Sequence, residues 1–370
     1  MKLRICEEYP ENRLFCLDLL RGLDMMLLCC IQPLIMAFAK ASGCLPEWFT
    51  AQFVHNWEGF TVYDIIMPLF IFMCGAAVPF ALGRRLSGGR FTAAYWKHVG
   101  ARFALLWALG MVAQGRLLTY DVSKIMYFSN TLQTIAIGYV AAALVLPVKS
   151  RSLRLLPAVL SFFIYAALLH FGGDYTKTGN LAMIVDKRIF GLFLPPTNPM
   201  MKQGMYAWVL PSFMYVSMTI FGMESAKLLA DKSLGAVKRA VILAVGGAVM
   251  LGAGKALSFV MPVIKPIFTP SFTLQAIGWS MLLLAILFAL TDVLRFRRGM
   301  SVPILFGQHA LFAYMTMMVF GGPCIRFVET FTLGLKNWMS IEWVYVFTRI
   351  GVIVLMTYLL ALRRAFAKKA

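Results

Sequence analysis

Residues 53–75 read FVHNWEGFTVYDIIMPLFIFMCG. A histidine, a tryptophan, a glutamate and an aspartate stand ahead of an apolar run that carries no charge between Asp64 and Arg84. A run of about twenty such residues, coiled as a helix, crosses a hydrocarbon core of ~30 Å. Read outward from this stretch, similar runs recur at about 15–38, 60–83, 97–116, 126–147, 153–172, 208–230, 237–258, 271–293, 302–321 and 342–363. The composition agrees. The chain is 60 % hydrophobic and 14 % charged, whereas a soluble domain is nearer half apolar and about a quarter charged. The expectation is an all-α polytopic membrane protein of about ten spans, one integral-membrane domain over residues 1–370.

The net charge of +19 suggests nucleic acid until its placement is considered. Basic residues cluster between apolar runs: Arg84, Arg85, Arg90 and Lys97; Lys149, Arg151 and Arg154; Lys227, Lys232, Lys238 and Arg239; Arg295, Arg297 and Arg298; Arg363, Arg364, Lys368 and Lys369. With Lys2, Arg4 and Arg13 they mark alternate loops. The loops between them hold fewer cations, among them Lys40, Arg116, Lys187 and Lys202. That alternation is a topology signal and places both termini in the cytoplasm. No nucleic-acid partner is expected. The first apolar run carries Asp18, Arg21 and Asp24 and is too long for a signal-peptide core, so it reads as a retained span, as in a bacterial inner-membrane protein.

This topology puts His55 outside, just above the membrane, with the longest loop, 173–207, on the same side. That loop reads equally as a lid over an outward-facing site or as a connector. The seven cysteines show no paired C-x-x-C spacing. Cys6, Cys16, Cys29, Cys30 and Cys74 read as small core residues. Cys44 and Cys324 fall in outer loops, where a disulfide is open to them.

Ionisable groups within spans are costly and are functional or paired. Asp18, Arg21 and Asp24, spaced by three, share one helix face. They form either a helix-end salt bridge or a cationic socket for a phosphorylated cofactor, with Arg102 and Arg349 able to face the same region. Lys255 and Lys265 lie towards outer helix ends. His309 reads as a hydrogen-bonded core residue or a functional one. Thr61 and Asp64 have capping-box spacing, which explains Asp64 without chemistry. His55 has no such reason, and reads as an exposed loop residue or a chemical group.

Six stretches together resemble one family: RLFCLDLLRGLDM (13–25), WEGFTVYDIIMPLFIFMCG (57–75), NTLQTIAIGYV (130–140), WVLPSFMYVSMTIFGMESAKLL (208–229), KPIFTPSFTLQAIGW (265–279) and FGQHALFAY (306–314). The family is the heparan-α-glucosaminide N-acetyltransferase-like transmembrane acyltransferases, and the resemblance runs over nearly the whole chain. It implies transfer of an acetyl group from cytoplasmic acetyl-CoA to the amine of a glucosamine-type sugar on the far side. It implies His55 as the active histidine, and it suggests a homodimer. The sequence departs from the family's pattern twice. Only Asn56 separates His55 from Trp57, where two residues are usual, and His309 stands where the late motif has asparagine.

An amine acceptor must lose a proton to attack a thioester, and an imidazole suits that task. Asp64 or Glu58 would orient His55, and Asn130 would donate to the developing oxyanion. Trp57, Trp208 and Tyr206 offer flat faces to a sugar ring, although an interfacial aromatic belt explains them equally. Glu58 and Lys265 complete the expected acceptor site. Asp18, Arg21, Arg102, Gln133 and His309 are the expected contacts of the cofactor. The competing reading is an amino-sugar transporter, in which ten spans form two five-helix halves with broken helices at Gly22/Pro33 and Pro211/Gly222. A third is an acyltransferase acting on another envelope acceptor.

Overall fold

The computed structural model describes residues 14–86, 91–201 and 206–367. All regular structure among the described residues is helical, as the apolar runs require. A backbone in hydrocarbon must satisfy its own hydrogen bonds, and a helix does so within one segment. Among the described residues, seven helical segments are long and apolar enough to cross a membrane: Phe15–Ser42, Val62–Arg85, Arg151–Phe171, Ala236–Leu257, Pro270–Val293, Ala310–Asn337 and Ile341–Ala365. They are compatible with an integral membrane protein. Lys2, Arg4, Cys6, Arg13, Arg90, Lys202, Lys368 and Lys369 lie outside the described residues.

The chain divides into two compact units. The first comprises Met1–His55, Thr61–Ile66 and Leu290–Ala370; the second comprises Asn56–Phe60 and Met67–Ala289. The division therefore groups the first and last helices and does not follow two equal halves.

In the first unit, α1 (Phe15–Met26) and α2 (Gln32–Ser42) form one long segment with a wide turn at Leu27–Ile31. Pro33 has no N–H for the carbonyl four residues back. The Gln32 N–H instead reaches Leu27 O, five residues back, so the ladder widens by one residue. A short helix, α3 (Glu47–Thr50), follows. The span expected at 302–321 is broken. α12 (Ser301–Gln308) and α13 (Ala310–Thr332) meet at His309, whose φ of −119° and ψ of 25° leave the helical region. A last long helix, α14 (Ile341–Ala367), ends the unit. α1 and α12 touch backbone to backbone: a Cβ on Gly22 would lie 1.7 Å from Pro303 O, and one on Gly307 1.8 Å from Asp18 O. Cys44 and Cys324 are both free thiols, and the Cys44 Sγ donates to Ser42 O at 3.2 Å. The disulfide that the loop positions allowed is not formed.

The second unit holds α4 (Ile66–Leu82) from Met67 onward, α5 (Ala93–Ala113), α6 (Thr131–Val145), α7 (Arg151–Phe171), α8 (Leu181–Phe190), α9 (Ser212–Ala230), α10 (Ala236–Leu257) and α11 (Pro270–Phe288). α4 and α9 cross at reciprocal glycines. A Cβ on Gly75 would fall 1.8 Å from Thr219 O, and one on Gly222 1.9 Å from Phe72 O. Small residues allow such approach where no hydrophobic driving force separates helix from lipid. Arg154 of α7 and Glu224 of α9, 8 % and 6 % exposed, form a buried two-pronged ion pair. Arg154 also donates to Val148 O and Lys149 O at 2.7 and 2.8 Å, so its fork is almost fully engaged.

Candidate active site

The capping box read from Thr61 and Asp64 forms. The Asp64 Oδ2 accepts the Thr61 N–H at 3.0 Å and the Thr61 hydroxyl at 2.8 Å. This anchors a 3-10 turn, Val62–Ile65, that leads into α4. The other carboxylate oxygen, Oδ1, lies 2.7 Å from Nδ1 of His55. Asp64 is 1 % exposed, while the His55 side chain is 37 % exposed. A buried carboxylate held on one oxygen thus holds an exposed imidazole with the other. A carboxylate only accepts, so Nδ1 carries the hydrogen and the neutral ring has its lone pair on Nε2. The Tyr63 ring backs the imidazole at 4.8 Å between centroids. Of the two carboxylates expected to orient His55, Asp64 does so; Glu58 is exposed and belongs to the second unit.

The WEG stretch explains itself by backbone geometry. Gly59 adopts a φ of 107°, which L side chains rarely adopt, and its N–H donates to Val263 O at 2.8 Å. Trp57 is tied down beside it: its indole N–H donates to Tyr175 O at 3.1 Å, and Lys177 lies over its ring at 5.8 Å. Trp57 thereby fastens the 173–207 loop, a role that its expected place as a sugar platform did not include.

The described residues of that loop, 173–201 and 206–207, are tied down by hydrogen bonds. Asn180 caps α8 by accepting the Met183 N–H at 2.9 Å. Asn198, fully buried, donates to Ser123 O and Ile125 O at 2.8 and 3.0 Å and accepts the Met200 N–H at 2.9 Å. It pins the loop to the chain between α5 and α6. Together these segments wall a cavity of about 370 Å³ within the second unit. Its polar lining is Gln114, Arg116, Ser129, Asp186 and Lys187, and Tyr206 and Trp208 stack at 5.8 Å on its wall. The Ser129 hydroxyl is buried there with no hydrogen-bond partner among the described residues. Arg116 holds a φ of 57°, strained for a residue with a side chain, in the turn that brings it to the lining.

Asp186 is 6 % exposed. Its two oxygens accept the N–H groups of Trp208 and Val209 at 2.7 and 3.0 Å. Burial raises its pKa to about 6, against the opposing effect of those two donors. Asp186 thus fixes the backbone that carries Trp208. Its importance was hidden in the sequence because its partners lie more than twenty residues away.

The remaining expected residues divide. Asn130 caps α6 by accepting the Leu132 N–H at 2.8 Å, and its amide donates to Gln114 Oε1 at 2.9 Å. Gln133 completes that box: its Oε1 accepts the N–H groups of Ser129 and Asn130, and its Nε2 donates to Tyr127 O at 2.6 Å. Both are fully buried. Asn130 and Gln133 thus hold the start of α6, and Asn130 also reaches Gln114 of the cavity lining. The N-x-x-Q spacing was the signal for this. Asp18 and Arg21 pair at 3.0 Å, the helix-end salt bridge. Arg102 is exposed and lies over the Tyr139 ring at 5.0 Å. Lys265 is 4 % exposed. His309 stands at the α12–α13 break with its Nε2 buried and without a hydrogen-bond partner among the described residues. Of the residues expected to meet the cofactor, Asp18, Arg21 and His309 belong to the first unit and Arg102 and Gln133 to the second.

Compared with known proteins, the chain matches no protein-family model, and no curated protein matches it significantly.

Proposed function

We propose that this protein is a membrane acyltransferase in which His55, oriented by Asp64, is the general base that takes a proton from the acceptor. The observation that carries the reading is the 2.7 Å contact between Nδ1 of an exposed imidazole and a buried, doubly anchored carboxylate. That is the arrangement of a base held by a third group. In the reaction, Nε2 accepts a proton from the acceptor amine as its nitrogen attacks the acyl carbon. The carbon–sulfur bond of a thioester then breaks, and the thiolate leaves with a proton returned by the imidazolium.

An amino sugar as acceptor and acetyl-CoA as donor follow from the family resemblance. The aromatic and polar walls of the cavity in the second unit independently suit a sugar ring, which presents apolar faces and a hydroxyl rim. A ten-span arrangement with both termini on the cytoplasmic side accompanies this reading, with His55 on the far side of a bacterial inner membrane. A helix stands at each of the ten expected positions, which supports that arrangement.

The test is acetyl transfer from radiolabelled acetyl-CoA to glucosamine by purified protein, comparing wild type with folded His55→Ala. Product from wild type alone is expected. Equal product from both removes His55 from the mechanism. No product from either, together with amino-sugar uptake into vesicles that needs no acetyl-CoA, replaces the enzyme by a transporter.

A further inference from the structure

The cavity in the second unit is charged in a way that a neutral sugar does not answer. Its lining carries two cations, Arg116 and Lys187, against one acid, Asp186. Both Asp186 oxygens are already taken by backbone N–H groups, those of Trp208 and Val209. Neither cation forms an ion pair among the described residues. The positive end of a helix adds to them. Ser129, on the lining, stands two positions ahead of Thr131, where α6 begins. That start is capped by Asn130 and Gln133, which are neutral, and its first turn holds no acid. The partial positive charge of the helix N-terminus is left without a carboxylate of its own.

Two further observations point to a ligand and away from plain solvated charge. The Ser129 hydroxyl is buried without a hydrogen-bond partner among the described residues, and a buried hydroxyl left alone is costly. Arg116 holds its φ of 57°, a conformation that costs an arginine and persists only where the surroundings impose it. Here they do. The Met126 N–H donates to Gly115 O at 2.8 Å, which closes the loop from 115 to 126 and presents Arg116, beside Met126, to the cavity. The stacked rings of Tyr206 and Trp208 form part of the same wall.

A set of anion donors beside an aromatic wall, in a cavity of small-molecule size, defines a ligand with a flat ring and a charged oxyanion. We propose that this cavity takes a phosphorylated amino sugar, its phosphate on Arg116, Lys187 and the Ser129 hydroxyl and its ring against Trp208. A phosphate monoester carries about −1.5 to −2 charges at pH 7 and three acceptor oxygens, which answers two cations and a hydroxyl donor together. The planar fork of arginine meets two of those oxygens at once. A carboxylate or a sulfate ester brings a single charge and leaves one cation unanswered. The amino-sugar half of the inference rests on the proposed function; the phosphate half rests on the cavity alone.

Isothermal titration calorimetry on the purified full chain reads this binding without any acyl transfer, so a failure here leaves the acetyl-transfer assay to judge the enzyme separately. Glucosamine 6-phosphate or glucosamine 1-phosphate is expected to bind about tenfold or more tighter than glucosamine, the worth of one charge-assisted hydrogen bond. Glucosamine 6-sulfate should fall between. Arg116→Asn should remove most of the preference and leave glucosamine binding unchanged; asparagine tolerates a positive φ, so the turn keeps its shape. Lys187→Gln should act likewise, and Lys232→Gln, a change at an exposed cation beyond α9, should alter nothing. The wild-type ranking needs no variant and decides the matter if neither substitution folds. Phosphorylated sugars that bind no tighter than glucosamine, a sulfate ester that binds as tightly as the phosphates, or a preference that survives both Arg116→Asn and Lys187→Gln overturns the proposal. So does inorganic phosphate bound as tightly as the sugar phosphates, which would reduce the cavity to an ion site.

Discussion

Replacing Asp64 by asparagine tests the dyad most directly. The carboxylate serves three donors: the Thr61 N–H and hydroxyl on Oδ2 and the His55 Nδ1–H on Oδ1. An amide has one oxygen. If that oxygen stays with Thr61, its NH2 faces His55 and the ring must turn its proton to Nε2 to accept from it. The base is then lost although every heavy atom keeps its place. A carboxylate-to-amide change that imposes the wrong tautomer lowers turnover by up to about 10⁴-fold, and general base catalysis is worth at least about 10²-fold. The expected loss in acetyl transfer lies between those figures. The cost in stability is smaller, about 1 kcal/mol for a weakened cap, so the variant should remain folded. Nitrogen-15 spectra of labelled histidine should show the hydrogen on Nδ1 of His55 in wild type and on Nε2 in Asp64→Asn. The chain has 4 histidines, and His55→Ala identifies the signal. The double variant should be no worse than His55→Ala alone, because the two residues act as a unit. Activity within threefold of wild type with an unchanged tautomer would refute the reasoning.

Three further predictions follow from the second unit. Asp186 has a folded pKa of about 6 against an ordinary 3.8, so its folded form prefers the proton. Its contribution to stability is full below about pH 4, falls as pH rises towards 6 and is flat above. Two pKa units correspond to about 3 kcal/mol; melting curves of wild type and Asp186→Asn between pH 4 and 7 should differ in slope over that window, and parallel curves would dismiss the effect. Glu224→Gln leaves the Arg154 guanidinium buried without its counter-charge, which should cost about 3–5 kcal/mol; thermal melting should show it, and Arg154→Met with Glu224→Met should recover most of the loss. Gly75→Ala places a Cβ 1.8 Å from the Thr219 carbonyl; pushing α4 from α9 should cost about 1–3 kcal/mol, whereas Gly252→Ala, with nothing within 4 Å of its Cβ, should melt as wild type does.

What the sequence disclosed and what it concealed divide along physical lines. Helices at the ten expected positions were legible because each apolar run must satisfy its own backbone. Cys16, Cys29, Cys30 and Cys74 were legible as core residues for the same reason, and all are buried. Local hydrogen bonding was legible too: Asp64 stands three positions after Thr61 and Gln133 three after Asn130, and both pairs form capping boxes. A polar residue at a helix start has a helix-start reason to be there, and chemistry must be argued beyond it. Asp64 passes that test, because one oxygen suffices for the cap and the other reaches His55. Asn130 likewise reaches beyond its cap, to Gln114 of the cavity lining. The α12–α13 break and the cavity were not legible. The break interrupts an apolar run without a proline at His309, and the cavity depends on Asp186 holding residues 22 and 23 positions away. Contacts of that range are written in no local pattern. A loop with one buried asparagine holding another segment and one buried aspartate holding its own far end is over-determined for a connector. Asn198→Ala separates the two readings of this loop, a pocket wall and a connector. As a wall of a working pocket it should weaken acceptor binding and raise KM while kcat holds; as a connector it should lower the melting temperature and leave KM unchanged.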